Sequence, residues 1–115
     1  MSKIRAIKYD PKTKIYSEEV ITNYKDYSKL LECRTFDVIM PTSDMSIYID
    51  DEGLFVEGNE VTQIQLTDGR TTQLAGILVF TGGVDRDGET LGFNGEIEEL
   101  KTLVQETDLV VGYEE

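Results

Sequence analysis

Apolar positions alternate loosely with polar ones over SKIRAIKY (2–9), where Ile4, Ala6, Ile7 and Tyr9 predict a first strand. DPKTK (10–14) is a turn, with Pro11 presetting φ and Asp10 able to cap it. IYSEEVI (15–21) then closes an N-terminal hairpin. The period changes over TNYKDYSKLLECR (22–34). Tyr24, Tyr27, Leu30 and Leu31 recur at helical spacing behind Thr22 or Asn23 as a cap, predicting a short amphipathic helix. FDVIM (36–40) is a strand stopped by Pro41, MSIYID (45–50) the next, and DEG (51–53) turns the chain into a short strand LFVE (54–57). VTQIQL (61–66) and the turn TDGR (67–70) form the first half of a second hairpin. QLAGILVF (73–80), the most apolar run, predicts a central strand buried on both faces. GETLGF (88–93) is an edge segment. Asn94 is expected to cap a helix over GEIEELKTLVQE (95–106), with Ile97, Leu100, Leu103 and Val104 as one apolar stripe and Glu96, Glu98 and Glu99 favoured in the first turns. DLVVGY (108–113) is the last strand. The order predicts one α+β domain over residues 1–115, with a mainly antiparallel sheet and two short helices.

Composition narrows the setting. At 115 residues, with 39% apolar and 30% charged residues, the chain reads as one globular domain. No apolar run is long enough to span a bilayer, and MSKIRAIKYD lacks the apolar stretch of a signal peptide. The single cysteine, Cys33, excludes an internal disulfide and fits a reducing cytoplasm, the expected location. The formal charge is −12 and unevenly placed: eight bases and five acids in residues 1–35, three bases and 18 acids in residues 36–115. That balance disfavours direct nucleic-acid binding, which needs clustered Lys and Arg. It accounts for solubility by itself and, beyond that, suits a partner with a basic face.

One stretch imitates a metal loop. In FTGGVDRDGETLGFNGE (80–96), Asp85, Asp87, Glu89 and Glu96 fall at positions 1, 3, 5 and 12 of a twelve-residue window. A calcium loop of this kind needs glycine at position 6 and helices on both sides. Here position 6 is Thr90, and the preceding segment reads as strand, so Asp87-Gly88 predicts a turn. Gly82-Gly83 lacks the motif of a phosphate loop and is followed by acids that repel phosphate. The chain has no histidine, which excludes histidine-based triads and metal sites. Cys33 beside Leu30 and Leu31 reads as a half-buried apolar residue rather than a nucleophile. The acids of IDDEG (49–53) read as a solvated turn rather than a magnesium site. The six tyrosines, Tyr9, Tyr16, Tyr24, Tyr27, Tyr48 and Tyr113, suit either interfaces or the rim of a small core. No metal or cofactor is expected.

KIRAIKYDP, IYIDDEGLFVEGNEV, QLAGILVFTGGVDRDGETLGF and the closing GEIEELK helix together resemble a family of small proteins of phages and bacterial mobile elements, known as a domain of unknown function. The resemblance rests on the acidic turn Asp51-Glu52-Gly53, Asn59, Leu74-Ala75-Gly76-Ile77 and the turn Asp87-Gly88-Glu89. It implies a phage or mobile-element setting and carries no catalytic residues. On that basis the expected function is non-enzymatic: a counter-defence inhibitor binding a basic host protein through Asp50, Asp51, Glu52, Asp85, Asp87 and Glu89. The alternative is sequestration of a nucleotide immune signal. Its phosphates would be held by Lys3, Arg5, Lys8, Lys12 and Lys14, or by Arg70 with Thr71 and Thr72, and its base by a stacked tyrosine. A third reading, an enzyme using carboxylates alone, has no spacing to support it. The apolar runs GILVF and LVVGY, in a chain with few elements to cover them, predict a homodimer through DLVVGY and tyrosines.

Overall fold

The computed structural model describes residues 3–66 and 68–112. Its elements are β1 (Ile4–Asp10), β2 (Ile15–Ile21), α1 (Lys25–Leu31), β3 (Phe36–Thr42), β4 (Met45–Asp50), a 3₁₀ turn (Gly53–Phe55), β5 (Glu60–Gln65), β6 (Thr71–Ala75), β7 (Leu78–Gly82), α2 (Ile97–Leu103) and β8 (Val104–Val110). The strands form two sheets, ordered β2-β1-β7-β4-β3 and β6-β5-β8. Every pairing in them is antiparallel, and with the two helices the fold class is α+β.

Alternation on the central strands builds two cores. Ile7 and Tyr9 of β1, Ile47 of β4, and Leu78 and Phe80 of β7 share one face of the five-stranded sheet. They pack against Ile64 of β5, Leu74 of β6, Val104 of β8 and Leu100 of α2. Ala6, Tyr48 and Val79 point from the same strands to the opposite face, where Tyr27 and Leu31 of α1 cover them. The order of layers is therefore α1, the five-stranded sheet, then the three-stranded sheet with α2.

QLAGILVF is not one central strand. Gly76, at φ +88°, breaks it, so Thr71–Ala75 joins the small sheet and Leu78–Gly82 the large one. A positive φ there suits glycine, and Gly76 N–H donates to Glu60 O at 3.0 Å, which holds the crossover. The expected burial on both faces holds for β7, whose five residues are all buried. β7 therefore leaves no apolar strip bare, whereas Leu109 and Val110 of DLVVGY, the segment expected to make a dimer contact, are exposed.

LFVE is a 3₁₀ turn rather than a strand. β3 runs past Pro41 to Thr42 through a register shift after Ile39, tolerable because β3 is an edge strand and proline there forfeits no interior ladder bond. GETLGF forms no strand of either sheet; it makes an isolated bridge, Val84 to Thr90, and backbone bonds joining Leu91 to Gly82 and Gly83 and Phe93 to Arg5. α2 starts at Ile97, beyond the reach of Asn94 as a cap, and ends at Leu103. Val104-Gln105-Glu106 belongs instead to β8, because the pairing of Val104 with Ile64 buries it in the main core. β8 includes Asp108–Val110 of the predicted last strand, while Tyr113 lies outside the described residues.

α1 is shorter than expected because Glu32 adopts a left-handed conformation (φ 55°) and Cys33 N–H closes back on Ser28 O at 3.1 Å. At its start Asn23 Oδ1 accepts from Lys25 N–H at 2.9 Å. The Asp26 carboxylate reaches back to Thr22 N–H (2.7 Å), the Thr22 hydroxyl (2.8 Å) and Asn23 N–H (3.2 Å). Those bonds, Thr22's first, hold the Asp26 carboxyl below its ordinary range.

Four of the tyrosines are core or core-rim residues, which settles their dual reading for those four. Tyr27 and Tyr48 stack at 3.8 Å, and Tyr9 packs on Tyr16 at 4.6 Å. The Tyr48 hydroxyl bonds the Thr90 hydroxyl at 2.8 Å, whereas the buried Tyr27 hydroxyl has no partner among the described residues. An unsatisfied buried hydroxyl costs about 1 kcal/mol or more. Tyr27→Phe is therefore expected to stabilise the fold by about 1 kcal/mol, read as a higher denaturant midpoint at unchanged slope. An unchanged or lower midpoint would show that the hydroxyl is satisfied in solution.

Burial also raises the ionisation of Tyr9, Tyr16 and Tyr27, Tyr16 from 10.0 to about 12. The unfolded chain loses these protons first. The associated stability is complete below pH 10.0 and falls as pH rises above it, through about 12 for Tyr16 and higher still for the more deeply buried Tyr27. A titration of tyrosinate absorbance should show late, cooperative ionisation coincident with loss of structure. Smooth ionisation of every tyrosine near its ordinary value, with the fold intact, would contradict this packing.

Candidate functional site

The segment after β4, Asp50-Asp51-Glu52-Gly53-Leu54-Phe55-Val56, forms a knuckle at one end of the large sheet. Asp50 Oδ1 accepts from Glu52 N–H at 2.9 Å, bending the chain out of the strand. Phe55 N–H then donates to Glu52 O (2.9 Å) and Val56 N–H to Gly53 O (3.3 Å). Gly53 is pressed against β6: a Cβ at this position would lie 2.6 Å from Ala75 O, so only glycine fits without a shift. Asn59 fastens the turn from behind, its Nδ2 donating to Gly53 O at 3.0 Å and its N–H to Val56 O at 3.2 Å. Gly58 N–H to Val111 O and Val111 N–H to Asn59 O tie the following residues to the end of β8.

This bonded frame presents apolar side chains to solvent. Leu54 is 58% exposed, Phe55 85% and Val56 44%. Scattered single apolar residues on a surface need no explanation, but three in succession on a backbone fixed by hydrogen bonds form a preorganised contact. To one side lies an open groove of about 530 Å³ bordered by Lys29, Cys33, Arg34 and Phe55. Arg34 Nη2 pairs with Glu52 Oε1 across it at 3.3 Å. To the other side a small apolar pocket of about 100 Å³ opens between Ile49, Leu54, Phe55, Leu74 and Ala75. Cys33 packs against the α1 core, and burial, with Asp50 and Glu52 adding, pushes its thiol up to about 11. It stays protonated at neutral pH and is a poor nucleophile.

The six acids expected to form one face divide into two groups. β4 and β7 are antiparallel, with Met45 opposite Gly82 and Tyr48 opposite Val79. Asp50, Asp51 and Glu52 leave one end of that pair, and Asp85, Asp87 and Glu89 the other. At about 3.3 Å per residue the length of β4 alone separates them by about 16 Å. The second group is the turn its sequence predicted. Asp85 Oδ1 accepts from Asp87 N–H and Glu89 N–H, each at 2.9 Å, Asp85 N–H donates to Glu89 O at 2.9 Å, and Gly88 sits at φ +80°. Among the described residues, no three of Asp, Glu and Cys gather as a metal-ligand set.

The two sets of bases named for the alternative reading lie apart, the first along the β1–β2 hairpin and the second at the start of β6, and several members already have acid or carbonyl partners. Arg5 on β1 is spent inside the fold: its guanidinium donates to Phe93 O (3.2 Å) and Gly95 O (2.7 Å), pairs with Glu18 (3.1 Å) and lies 5.5 Å from the Phe93 ring centre. Lys8 is on the same strand, Lys3 just before it, and Lys12 and Lys14 in the β1–β2 turn, where Lys14 pairs with Glu106 at 3.4 Å. Arg70 belongs to the other sheet, bonded to Asp68 at 2.6 Å, with Thr71 and Thr72 following on β6.

Phe55 was not visible as a site in the sequence, where LFVE reads as a strand. Its one signal is an apolar triplet between two glycines and flanked by acids, with no alternation to give it a buried face.

The family described as "Domain of unknown function (DUF3846)" matches residues 4–105. The chain belongs to this family. No curated protein and no solved structure matches it. The DUF3846 match runs from the first residue of β1 to the second residue of β8, so the large sheet, β5, β6, both helices and the Leu54–Val56 knuckle lie within it.

Proposed function

We propose that this DUF3846 protein is a non-enzymatic binding protein. Its contact surface is the end of the large sheet where Leu54, Phe55 and Val56 stand beside Asp50, Asp51 and Glu52. In a phage or mobile-element setting, such a binder acts by blocking a basic host defence component. The observation that supports this reading is Phe55, 85% exposed on a turn fixed at both ends by hydrogen bonds. Aromatic anchors ringed by polar groups carry most of the energy in protein interfaces. The acids beside it add attraction at a distance and select a basic partner. Sequestration of a nucleotide finds less support, because Arg5 is engaged by Phe93, Gly95 and Glu18, Lys14 by Glu106 and Arg70 by Asp68.

The test begins with capture of a partner from host lysate, followed by kinetics on the purified pair. Reversing the acids, Asp51→Lys with Glu52→Lys, is expected to slow association about tenfold at low ionic strength and much less at high salt, where screening shortens to a few Å. The dissociation rate should change little. Association that ignores both the substitutions and the salt would remove the acidic knuckle from the contact.

A further inference from the structure

The two sheets expose four edge strands, β2, β3, β6 and β8. Three carry devices that discourage a further strand: Glu18 and Glu19 on β2, Asp37 and Pro41 on β3, Glu106 and Asp108 on β8. β6, Thr-Thr-Gln-Leu-Ala, has neither charge nor proline. Its hydrogen-bonding parity is set at both ends. Leu66 N–H donates to Arg70 O at 2.7 Å and Gly76 N–H to Glu60 O at 3.0 Å, so Thr72 and Leu74 are the residues bonded to β5. The backbone N–H and C=O of Thr71 and Gln73 therefore point outward, away from β5. Beside this free edge lies the apolar pocket of about 100 Å³ between Ile49, Leu54, Phe55, Leu74 and Ala75, open at the seam between the two sheets.

We infer that the edge of β6 takes an extended segment of a partner protein, one aliphatic side chain of which fills the pocket under Leu54 and Phe55. This rests on the binding reading above and names the form of the partner. Main-chain bonds to Thr71 and Gln73 supply register, and the pocket supplies selectivity. The segment carries Lys or Arg beside its aliphatic residue. From Asp50 to Glu60 the rim holds Asp50, Asp51, Glu52, Glu57 and Glu60 with no base among them. A second copy of the chain is a poorer occupant. Its own β6 has no spare apolar side chain for the pocket, since Leu74 is already buried in the core, and each copy brings a charge of −12.

A random-sequence peptide library displayed on particles and selected on the intact protein tests this. The selected peptides are expected to share one Val, Ile or Leu flanked by Lys or Arg. Their affinity should fall tenfold or more in Gln73→Pro, which removes an outward N–H and leaves the β5 ladder intact. Should that variant fold poorly, N-methylation of the peptide at alternate residues decides on the unmodified protein. One parity should abolish binding and the other be tolerated. Tolerance of both parities, an unaffected Gln73→Pro, failure to select any peptide, or a dimer that Gln73→Pro dissociates would each overturn the inference. A captured host protein that needs Phe55 but not Gln73 would overturn edge docking and leave the binding reading standing. One that needs neither would remove both.

Discussion

Replacing Phe80 by alanine is expected to lower stability by about 4 kcal/mol, or about 16 °C in melting temperature for a chain of this length. Phe80 is wholly buried at the centre of β7 and stands in register with Ile7 of β1 on one side and Ile47 of β4 on the other. It belongs to the cluster that joins the two sheets, with Ile64, Leu74, Leu100 and Val104 across the interface. Truncation removes the ring and leaves a cavity between two sheets that are each held by their own ladders. Neither sheet can close the gap without shifting against the other, so the cavity contribution is not relieved. Calorimetry or denaturant unfolding reads the loss. A change under about 1.5 kcal/mol would mean that the sheets slide together and that the core is not set by this residue.

The local pattern around Phe80 was legible in the sequence because β7 is buried on both faces, and a continuous apolar run reports such a strand directly. The hairpin β1–β2, the strand β4 and the turns at Asp68-Gly69 and Asp87-Gly88 were legible for the same local reason. What was not legible depends on distant partners. Gly76 looks like a tolerated glycine inside one strand until β6 is seen to pair with β5 and β7 with β1 and β4. The single apolar run then divides between two sheets. Val104 satisfies the helical stripe of Ile97, Leu100 and Leu103 as well as it satisfies a strand. The pairing with Ile64 decides for the strand, and a local period carries no information about that pairing.

The site was legible only in part, for a similar reason. The acids beside β4 fall within the proposed contact, but their grouping with Asp85, Asp87 and Glu89 required strand order, which places the two turns at opposite ends of the β4–β7 pair. Arg5 looked like a free cation for phosphate because its acceptors, Phe93 O and Gly95 O, are far along the chain. The knuckle was hidden because three apolar residues in a row suggest burial. Only the frame made by Gly53 against Ala75 and by Asn59 explains how they can stay outside.

That frame leads to the largest expected functional effect. Phe55→Ala should weaken partner binding by about 30-fold or more, an interface cost of about 2 kcal/mol, while leaving stability within about 0.5 kcal/mol. The separation follows from geometry. At 85% exposure the ring contributes little to the core, and the backbone bonds that shape the turn, Phe55 N–H to Glu52 O and Val56 N–H to Gly53 O, do not involve its side chain. Removing it therefore subtracts contact area from the complex and almost nothing from the free protein. Val20→Ala serves as the comparison. Val20 is also an exposed apolar residue, at 59%, but it lies on the edge strand β2, where it pairs with Arg5, and it should bind as the unaltered protein does. The charge variants Asp51→Lys and Glu52→Lys should act mainly on the association rate and Phe55→Ala on the dissociation rate, because close packing forms after the encounter that charge directs. Isothermal calorimetry with rapid-mixing kinetics on the captured partner separates the two. Should Phe55→Ala bind with unchanged affinity and dissociation rate, the aromatic knuckle is an incidental exposure and the contact lies elsewhere on the molecule.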